Sequence, residues 1–123
     1  MLVLCDTNIF IHLLTNHEPT IVALGKIGTP NIIMSAITEM ELYRGMRNQS
    51  ELKKMVNNIN NYSIIDIDAK TSAISRNLIK TYHLSHGLQI PDALIAASAI
   101  AFQLPLFTYN TKDFRYIKNL ILY

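Results

Sequence analysis

The chain has 123 residues, of which 50% are hydrophobic and 16% are charged, and its formal net charge is +2. This composition excludes a disordered chain and predicts a single domain over residues 1–123, while the mild charge does not identify a nucleic-acid binder. One cysteine excludes an internal disulfide and a cysteine-rich zinc site. We see no secretory signal and no apolar run of membrane-spanning length, so we expect a cytoplasmic protein without membrane partners.

Short apolar runs alternate with helical patterns, and this order predicts an α/β fold with a parallel sheet covered by helices on both faces. The predicted strands are residues 2–5, 31–34, 63–67, 106–108 and 120–123. The predicted helices are residues 8–14, 20–27, 36–46, 51–59, 69–82 and 91–102. Ser35 and Asp68 each precede a helix and are predicted to cap it.

Four acidic residues stand where ligands are expected in such a fold. Asp6 ends the first strand, Asp113 follows the strand at 106–108, and Asp92 begins the last helix. Glu41 lies at the border of the predicted inner face of helix 36–46. Because ligands bind beyond the carboxyl ends of parallel strands, we expect the four acids to converge in one cleft. Gathered carboxylates repel one another, which favours a bound cation, and oxygen ligands suit Mg²⁺ or Mn²⁺.

Each acid also has a purely structural interpretation. Asp6 could cap the first helix, and an acid at the position of Asp92 is favoured by the helix dipole. Asp113 could be a solvated loop residue. On helix 36–46 we predict that Ala36, Ile37, Met40 and Tyr43 face inward, which leaves Glu39 on the surface.

Histidine and cysteine are weaker candidates for ligands. No pair of histidines has a ligand spacing such as His-x-x-x-His, and all four are predicted to be surface or packing residues. Cys5 lies within the first strand, where a small buried hydrophobe is expected. The predicted site therefore depends on oxygen donors.

Four segments of the chain together resemble a known family. They are Asp-Thr-Asn at 6–8, Ser-Ala-Ile-Thr-Glu-Met-Glu-Leu-Tyr-Arg-Gly at 35–45, Ile-Pro-Asp-Ala-Leu-Ile-Ala-Ala at 90–97 and Thr-Tyr-Asn-Thr-Lys-Asp-Phe at 108–114. In this order and spacing they resemble the motifs of the PIN domain, most closely those of small VapC-type toxins of bacterial toxin–antitoxin pairs. The resemblance implies a three-layer fold with a short, mostly parallel sheet flanked by helices.

The resemblance also implies a Mg²⁺- or Mn²⁺-dependent endoribonuclease, with RNA as the substrate. It assigns the catalytic, metal-binding acids to Asp6, Glu41, Asp92 and Asp113, and the supporting polar pair to Thr108 and Asn110. One and two bound ions both remain open. Arg44 and Lys112 are candidate phosphate contacts, together with Arg47 and Arg115, although ordinary solvated surface charge is an equal alternative.

Three other functions are less consistent with the sequence. A non-catalytic PIN-like module that binds RNA or protein would have no reason to keep four converging carboxylates. A structure-selective nuclease of repair or processing usually needs extra elements for grip, and 123 residues leave little room for them. A haloacid-dehalogenase-like phosphatase needs a second aspartate where this chain has Asn8.

Two protein partners are expected from the resemblance. One is a second copy of the chain: Leu42 and Met46 could form an apolar surface patch for a homodimer, or could be buried under helix 51–59. The other is an antitoxin, which could lay a helix into an apolar groove and direct a basic side chain toward the acids. Phe10, Leu13 and Leu14 are the candidate walls of that groove, and at least one of them is expected to be buried in the core instead.

Overall fold

The computed structural model describes all 123 residues and contains a four-stranded sheet in the order β3-β2-β1-β4, with every pairing parallel. The strands are β1 Val3–Cys5, β2 Ile32–Ser35, β3 Ser63–Ile65 and β4 Leu106–Phe107. The helices are α1 Thr7–Leu14, α2 Glu18–Ile27, α3 Ala36–Arg44, α4 Gln49–Ile59, α5 Ala69–His86 and α6 Ile90–Ala101. The predicted α/β class with a parallel sheet is confirmed, and none of the helices is long and apolar enough to cross a membrane.

The strands bury both faces, and the side-chain alternation along them divides the core into two layers. Leu4 and Ile33 face a cluster built with α5 and α6. Val3, Cys5 and Met34 face the other side, where they pack with residues of α1, α2 and α4. Helices therefore cover both faces of the sheet, which gives the three layers that the motif resemblance implied.

The packing of α6 in the core positions one end of the functional site. Ala93, Ala96, Ala97 and Ala99 on this helix are each at most 1% exposed. Side chains this small allow α6 to pack closely against α5, in the core cluster that they share with Leu4 of the sheet. The first turn of α6, which contains Asp92, is thereby held beside the carboxyl ends of the strands.

Helix α3 differs from its predicted orientation. Met40 was expected inside but is 53% exposed, while Leu42 was expected outside and is 3% exposed. The reason is that α3 contacts both core layers: Ile37 joins one cluster and Leu42 the other. Of the two alternatives for Leu42 and Met46, burial against α4 is confirmed and the surface patch is wrong, because Leu42 packs in the same cluster as Met55 of α4, and Met46 is half-buried against it.

The ends of several elements also differ from prediction. The expected fifth strand at 120–123 is only a single parallel bridge between Leu106 and Leu122. Helix α5 continues past residue 82 to His86 and ends at Gly87, whose φ of +71° suits a residue without a Cβ. The predicted caps are confirmed: the N–H of Thr38 donates to Ser35 Oγ at 3.2 Å, and Asp68 caps α5.

Candidate active site

Asp6 lies at the carboxyl edge of the sheet, where the pairing of β1 with β4 places it beside Thr108. Cys5 is in register with Phe107, and the N–H of Asp6 donates to the Phe107 carbonyl at 2.9 Å. The Thr108 hydroxyl then donates to Asp6 Oδ2 at 2.8 Å. With only 5% of its surface exposed, Asp6 is a carboxylate held in position by the sheet itself.

Both carboxylate oxygens of Asp6 accept hydrogen bonds from α1. The N–H of Thr7 donates to Oδ1 at 2.8 Å, and Asn8 Nδ2 donates to Oδ2 at 3.1 Å. Asp6 is thus the N-cap of α1, as its structural interpretation predicted, and it also faces the other acids. Burial raises the pKa of Asp6 above its usual value, the bonds from Thr108, Thr7 and Asn8 oppose that rise, and Glu41 adds to it.

Glu41 is an exposed residue of α3 that is tied to α1 through Thr7. The Thr7 hydroxyl donates to Glu41 Oε1 at 2.7 Å and lies 3.0 Å from the hydroxyl of Thr38. Glu39 points elsewhere and accepts a bond from the Tyr43 hydroxyl at 2.9 Å. Thr7 therefore links two neighbouring helices and fixes the Glu41 carboxylate on the Asp6 side of α3.

Asp92, in the first turn of α6, is half-buried and accepts no hydrogen bond that would stabilise its charge. Its pKa is raised to about 6, first by burial and then by repulsion from Asp6, Asp113 and Glu41. Carboxylates influence one another in this way only across short distances. The structure thus brings the four predicted acids into one electrostatic neighbourhood.

Asp113 and Asn110 lie on the segment that follows β4. Asp113 is exposed at the end of a short 3₁₀ turn, Thr111–Asp113. The N–H of Asn110 donates to Thr108 Oγ1 at 3.0 Å, whereas its side chain accepts no capping bond from the turn. Thr108 therefore supports Asp6 with its side chain, and Asn110 supports Thr108 through its backbone.

The chemistry of these donors fits a hard divalent cation. The cluster has four carboxylates and two neighbouring hydroxyls but no thiolate, since Cys5 is buried with a pKa raised to about 12 by burial and by Asp6. The protein has one ion pair, Arg47 with Glu51, and none of the four acids takes part in it. The cluster therefore has no paired basic side chain. No three acidic, histidine or cysteine side chains yet surround a single point, so side-chain rotation would have to complete a coordination shell.

Sequence comparison matches residues 3–120 to the PIN domain. The chain belongs to the PIN domain family. It is 34% identical to Ribonuclease VapC2 of Rickettsia felis, in a match that covers 99% of this chain and 96% of that protein. The resemblance that the four motif segments indicated is thereby confirmed.

Solved structures agree with this assignment over the whole PIN domain. The VapBC2 complex of Rickettsia felis, bound to a DNA fragment from its promoter, matches with a TM-score of 0.84 and 30% identity, covering 100% of this chain and 98% of that chain. A toxin–antitoxin complex from Klebsiella pneumoniae matches with a TM-score of 0.82 and 32% identity, covering 97% and 95% of the two chains.

Several supporting residues of this PIN domain were not singled out from the sequence. Thr7 holds Glu41 in place and lies against the hydroxyl of Thr38, and Asn8 joins the site to the strand end because its Oδ1 accepts the N–H of Tyr109 at 3.2 Å. Thr7 and Asn8 directly follow Asp6 in a quoted motif segment, which is the one signal that could have identified them. Small polar residues at a helix start otherwise have an ordinary capping explanation.

The histidines of the PIN domain take part in packing. The ring of His12 meets the rings of His17 and Tyr109 edge-on, with centroid distances of 4.8 Å to His17 and 5.0 Å to Tyr109. The ring of His86 lies flat against Tyr116. His83 Nδ1 is 2.9 Å from the carbonyl oxygen of Leu88.

The candidate phosphate contacts of the PIN domain fall into two groups. Arg44, Lys112 and Arg115 are exposed and form no ion pair. Arg47 instead binds Glu51, at 2.8 Å for the closest pair of atoms. Arg47, just before α4, is thus paired with a carboxylate in the first turn of that helix. The other three cations are available to a ligand.

An apolar groove opens between α1, α3 and α4. A cavity of about 210 Å³ is lined by the expected walls Phe10, Leu13 and Leu14, together with residues that include Met55 and Tyr62. A second cavity of about 290 Å³ shares Leu14, Leu42 and Met55 with the first and is also lined by Glu41. The groove therefore leads from an apolar surface to one of the four acids.

Proposed function

We propose that this PIN domain, residues 1–123, is a divalent-metal-dependent endoribonuclease and the toxin of a toxin–antitoxin pair. The observation that carries the proposal is the group of four carboxylates without a counter-charge at the carboxyl edge of the sheet, where burial and then mutual repulsion raise the pKa of Asp92 to about 6. The similarity to Ribonuclease VapC2 supports RNA as the substrate. A divalent cation is the partner that such a group lacks.

Asp6 and Asp92 are assigned to direct metal binding, and Glu41 and Asp113 to binding either directly or through water. A bound Mg²⁺ or Mn²⁺ would supply a water of lowered pKa and a counter-charge for the scissile phosphate. Thr108 orients the Asp6 carboxylate by donating to Oδ2. Thr7 orients Glu41 by donating to its Oε1, so the protein holds two of its four acids before the cation enters.

Arg44 and Lys112 are assigned to the phosphates of the RNA on either side of the cut. Both are exposed, and neither forms an ion pair within the protein. Arg44 ends α3, the helix of Glu41, and Lys112 directly precedes Asp113. Cations next to the acids would bind the backbone of RNA without regard to sequence.

The expected protein partner is an antitoxin that occupies the groove between α1, α3 and α4. Two of the similar structures are toxin–antitoxin complexes. An amphipathic helix could place its apolar face against Leu13 and Leu14 and direct a basic side chain toward Glu41. Such a side chain would compete with the cation by charge, so the complex should cleave RNA poorly and high Mg²⁺ should partly restore cleavage.

Homodimer formation stays a prediction that depends on the family resemblance alone. The surface first suggested for it is buried in the core at Leu42. Light scattering at micromolar concentration tests the prediction, and a monomer mass would contradict it.

The decisive experiment is cleavage of single-stranded RNA by the purified chain with Mn²⁺, with Mg²⁺ and with a chelator, followed by sequencing of the cut ends. Asp92→Asn is the test variant, and Glu18→Gln on α2 is the matched carboxylate control. We expect metal-dependent cleavage by the wild type and the control but not by Asp92→Asn. Undiminished cleavage by Asp92→Asn would contradict the proposal, and RNA binding without cleavage in Mn²⁺ would favour the non-catalytic module.

A further inference from the structure

Three aromatic rings pack together near the acidic cluster, where α5 ends and the segment after β4 returns. The ring of His86 lies parallel to that of Tyr116, with centroids 4.1 Å apart and planes inclined by 6°. Tyr82 meets both rings edge-on, at 5.8 Å from His86 and 5.2 Å from Tyr116. We call Tyr82, His86 and Tyr116 the aromatic stack.

The aromatic stack adjoins two of the four acids. Tyr116 is three residues beyond Asp113 in the turns that follow β4, and His86 is the last residue of α5, just before the loop to α6 and Asp92. Burial raises the pKa of the Tyr116 phenol, and the charges of Asp92 and Asp113 raise it further. The phenol therefore lies within the electrostatic reach of both carboxylates.

One side of the aromatic stack is packed against the core, and the other side is exposed to solvent. Tyr82 and Tyr116 are half-buried against the core cluster of α5 and α6, and the Tyr82 hydroxyl accepts the N–H of Lys118 at 3.0 Å. His86 is exposed, and its Nδ1 contacts only the neighbouring Ser85 hydroxyl at 2.7 Å. A flat ring is thus presented to solvent on a fixed support.

The second aromatic group near the site lacks this property. His12, His17 and Tyr109 meet edge-on at interplanar angles of 67° to 77°, so no two of these rings form a parallel pair. The Tyr109 hydroxyl is also engaged with Thr20 at 2.5 Å. Among the aromatic groups around the acids, the aromatic stack is the one built as a flat platform.

We infer that the aromatic stack binds a nucleobase of the substrate RNA next to the scissile phosphate, with the base stacked on the outer face of His86. This inference rests on the proposed ribonuclease function and adds a subsite to it. Bases of single-stranded RNA stack on aromatic side chains in this way, and such contacts tolerate any base because every base has a flat face. A phosphate bound through a cation at Asp92 and Asp113 would bring its flanking base toward Tyr116 and His86.

The test compares three substitutions of His86 in the Mn²⁺-dependent cleavage of a single-stranded RNA. His86→Ala should lower kcat/KM by about 5-fold or more, mainly through a higher KM, since one base–aromatic stack is worth that much. His86→Phe keeps a flat ring and should preserve kcat/KM. His86→Lys replaces the ring with a flexible cation and should resemble His86→Ala.

A second arm locates the base. Removing single bases from the RNA around the cut should lower kcat/KM of the wild type at one position, and His86→Ala should show no further loss at that position. Leu84→Ala, at an exposed residue of the same helix, is the matched control, and thermal melts check that every variant is folded.

The outcomes separate the subsite from the proposed function. If the wild type cleaves RNA and His86→Ala matches it, the subsite is overturned and the function stands. If His86→Lys preserves kcat/KM while His86→Phe loses it, His86 contacts phosphate and the stacking is overturned. If the wild type neither binds nor cleaves single-stranded RNA, the proposed function and the subsite both fail.

Discussion

The acidic cluster has two halves, around Asp6 and around Asp92, and the fold holds these two acids in different ways. Asp6 is 5% exposed and accepts three hydrogen bonds, from Thr7, Asn8 and Thr108, which the register of β1 with β4 and the start of α1 bring to it. Asp92 is half-buried and accepts none. One carboxylate is fixed by the fold, whereas the other is placed by a helix and destabilised by its neighbours.

The difference between the halves indicates what the site lacks. Burial raises the pKa of both acids, but hydrogen bonds oppose the rise at Asp6, whereas at Asp92 repulsion from the other carboxylates adds to it. Entry of a cation would lower both pKa values, and we expect the larger change at Asp92. We therefore expect Asp6 to be a preformed ligand and Asp92 to be a ligand that ionises fully when the cation binds.

The largest expected effect comes from replacing the carboxylate of each half, Asp6 or Asp92, with a neutral amide. Asp6→Asn and Asp92→Asn should each reduce RNA cleavage by more than about 100-fold, since residues that only orient metal ligands already contribute about 10- to 100-fold. Cleavage rates at fixed Mn²⁺, with Glu18→Gln as the control, measure the effect. Activity that survives in either variant would remove that acid from the metal site.

The half around Asp6 can also be tested by changing Thr108, which leaves all four carboxylates in place. Thr108→Val removes the hydroxyl that donates to Asp6 Oδ2 and should reduce cleavage by about 10- to 100-fold, with a higher Mn²⁺ requirement. The loss should be accompanied by a further rise in the pKa of Asp6. Thr108→Ser keeps the hydroxyl and should restore activity, and failure of that rescue would point to packing instead.

The cations around the site should have smaller effects. Arg44→Ala and Lys112→Ala should each weaken RNA binding and reduce its salt dependence by about one counterion per contact. Arg47→Ala is the matched control, because Arg47 is already paired with Glu51. Binding measured over a range of KCl concentrations distinguishes these cases, and an equal loss in all three variants would reject specific phosphate contacts.

The two halves should also differ in how they affect the stability of the metal-free protein. The pKa of Asp92 is about 6 in the folded protein and about 4 in the unfolded chain. The folded state is therefore favoured by proton binding at Asp92, and this contribution to the free energy of unfolding is full below pH 4 and is lost as the pH rises through 6. Asp92→Asn should therefore melt above the wild type at pH 7.5 and match it near pH 4. Melting curves with a chelator measure the difference.

The same melts should give a different result for Asp6. An amide at this position offers one acceptor oxygen in place of two, so it must lose either the bond from Thr7 or those from Asn8 and Thr108. That loss opposes the relief of repulsion. A melting temperature of Asp6→Asn as high as that of Asp92→Asn would contradict the contrast between the halves.

The sequence predicted the layout of the site because strand ends are recognisable. Asp6 and Thr108 each follow an apolar run, and parallel pairing brings such positions together. The orientation of α3 was wrong because Ile37 and Leu42 pack in different layers, and a single inward face cannot describe a helix that touches both. The aromatic stack leaves no periodic signal, since Tyr82, His86 and Tyr116 meet only through the tertiary fold.

The central claim is that the Asp92 carboxylate lacks a counter-charge until a divalent cation binds among the four acids. The most direct test is the pKa of Asp92, followed by carbon-13 NMR of the side-chain carboxyl with and without Mg²⁺, which is diamagnetic. We predict a pKa of about 6 in the metal-free protein and a value well below the usual range for aspartate when Mg²⁺ is present. An ordinary pKa without metal, or a raised pKa that Mg²⁺ does not lower, would contradict the account.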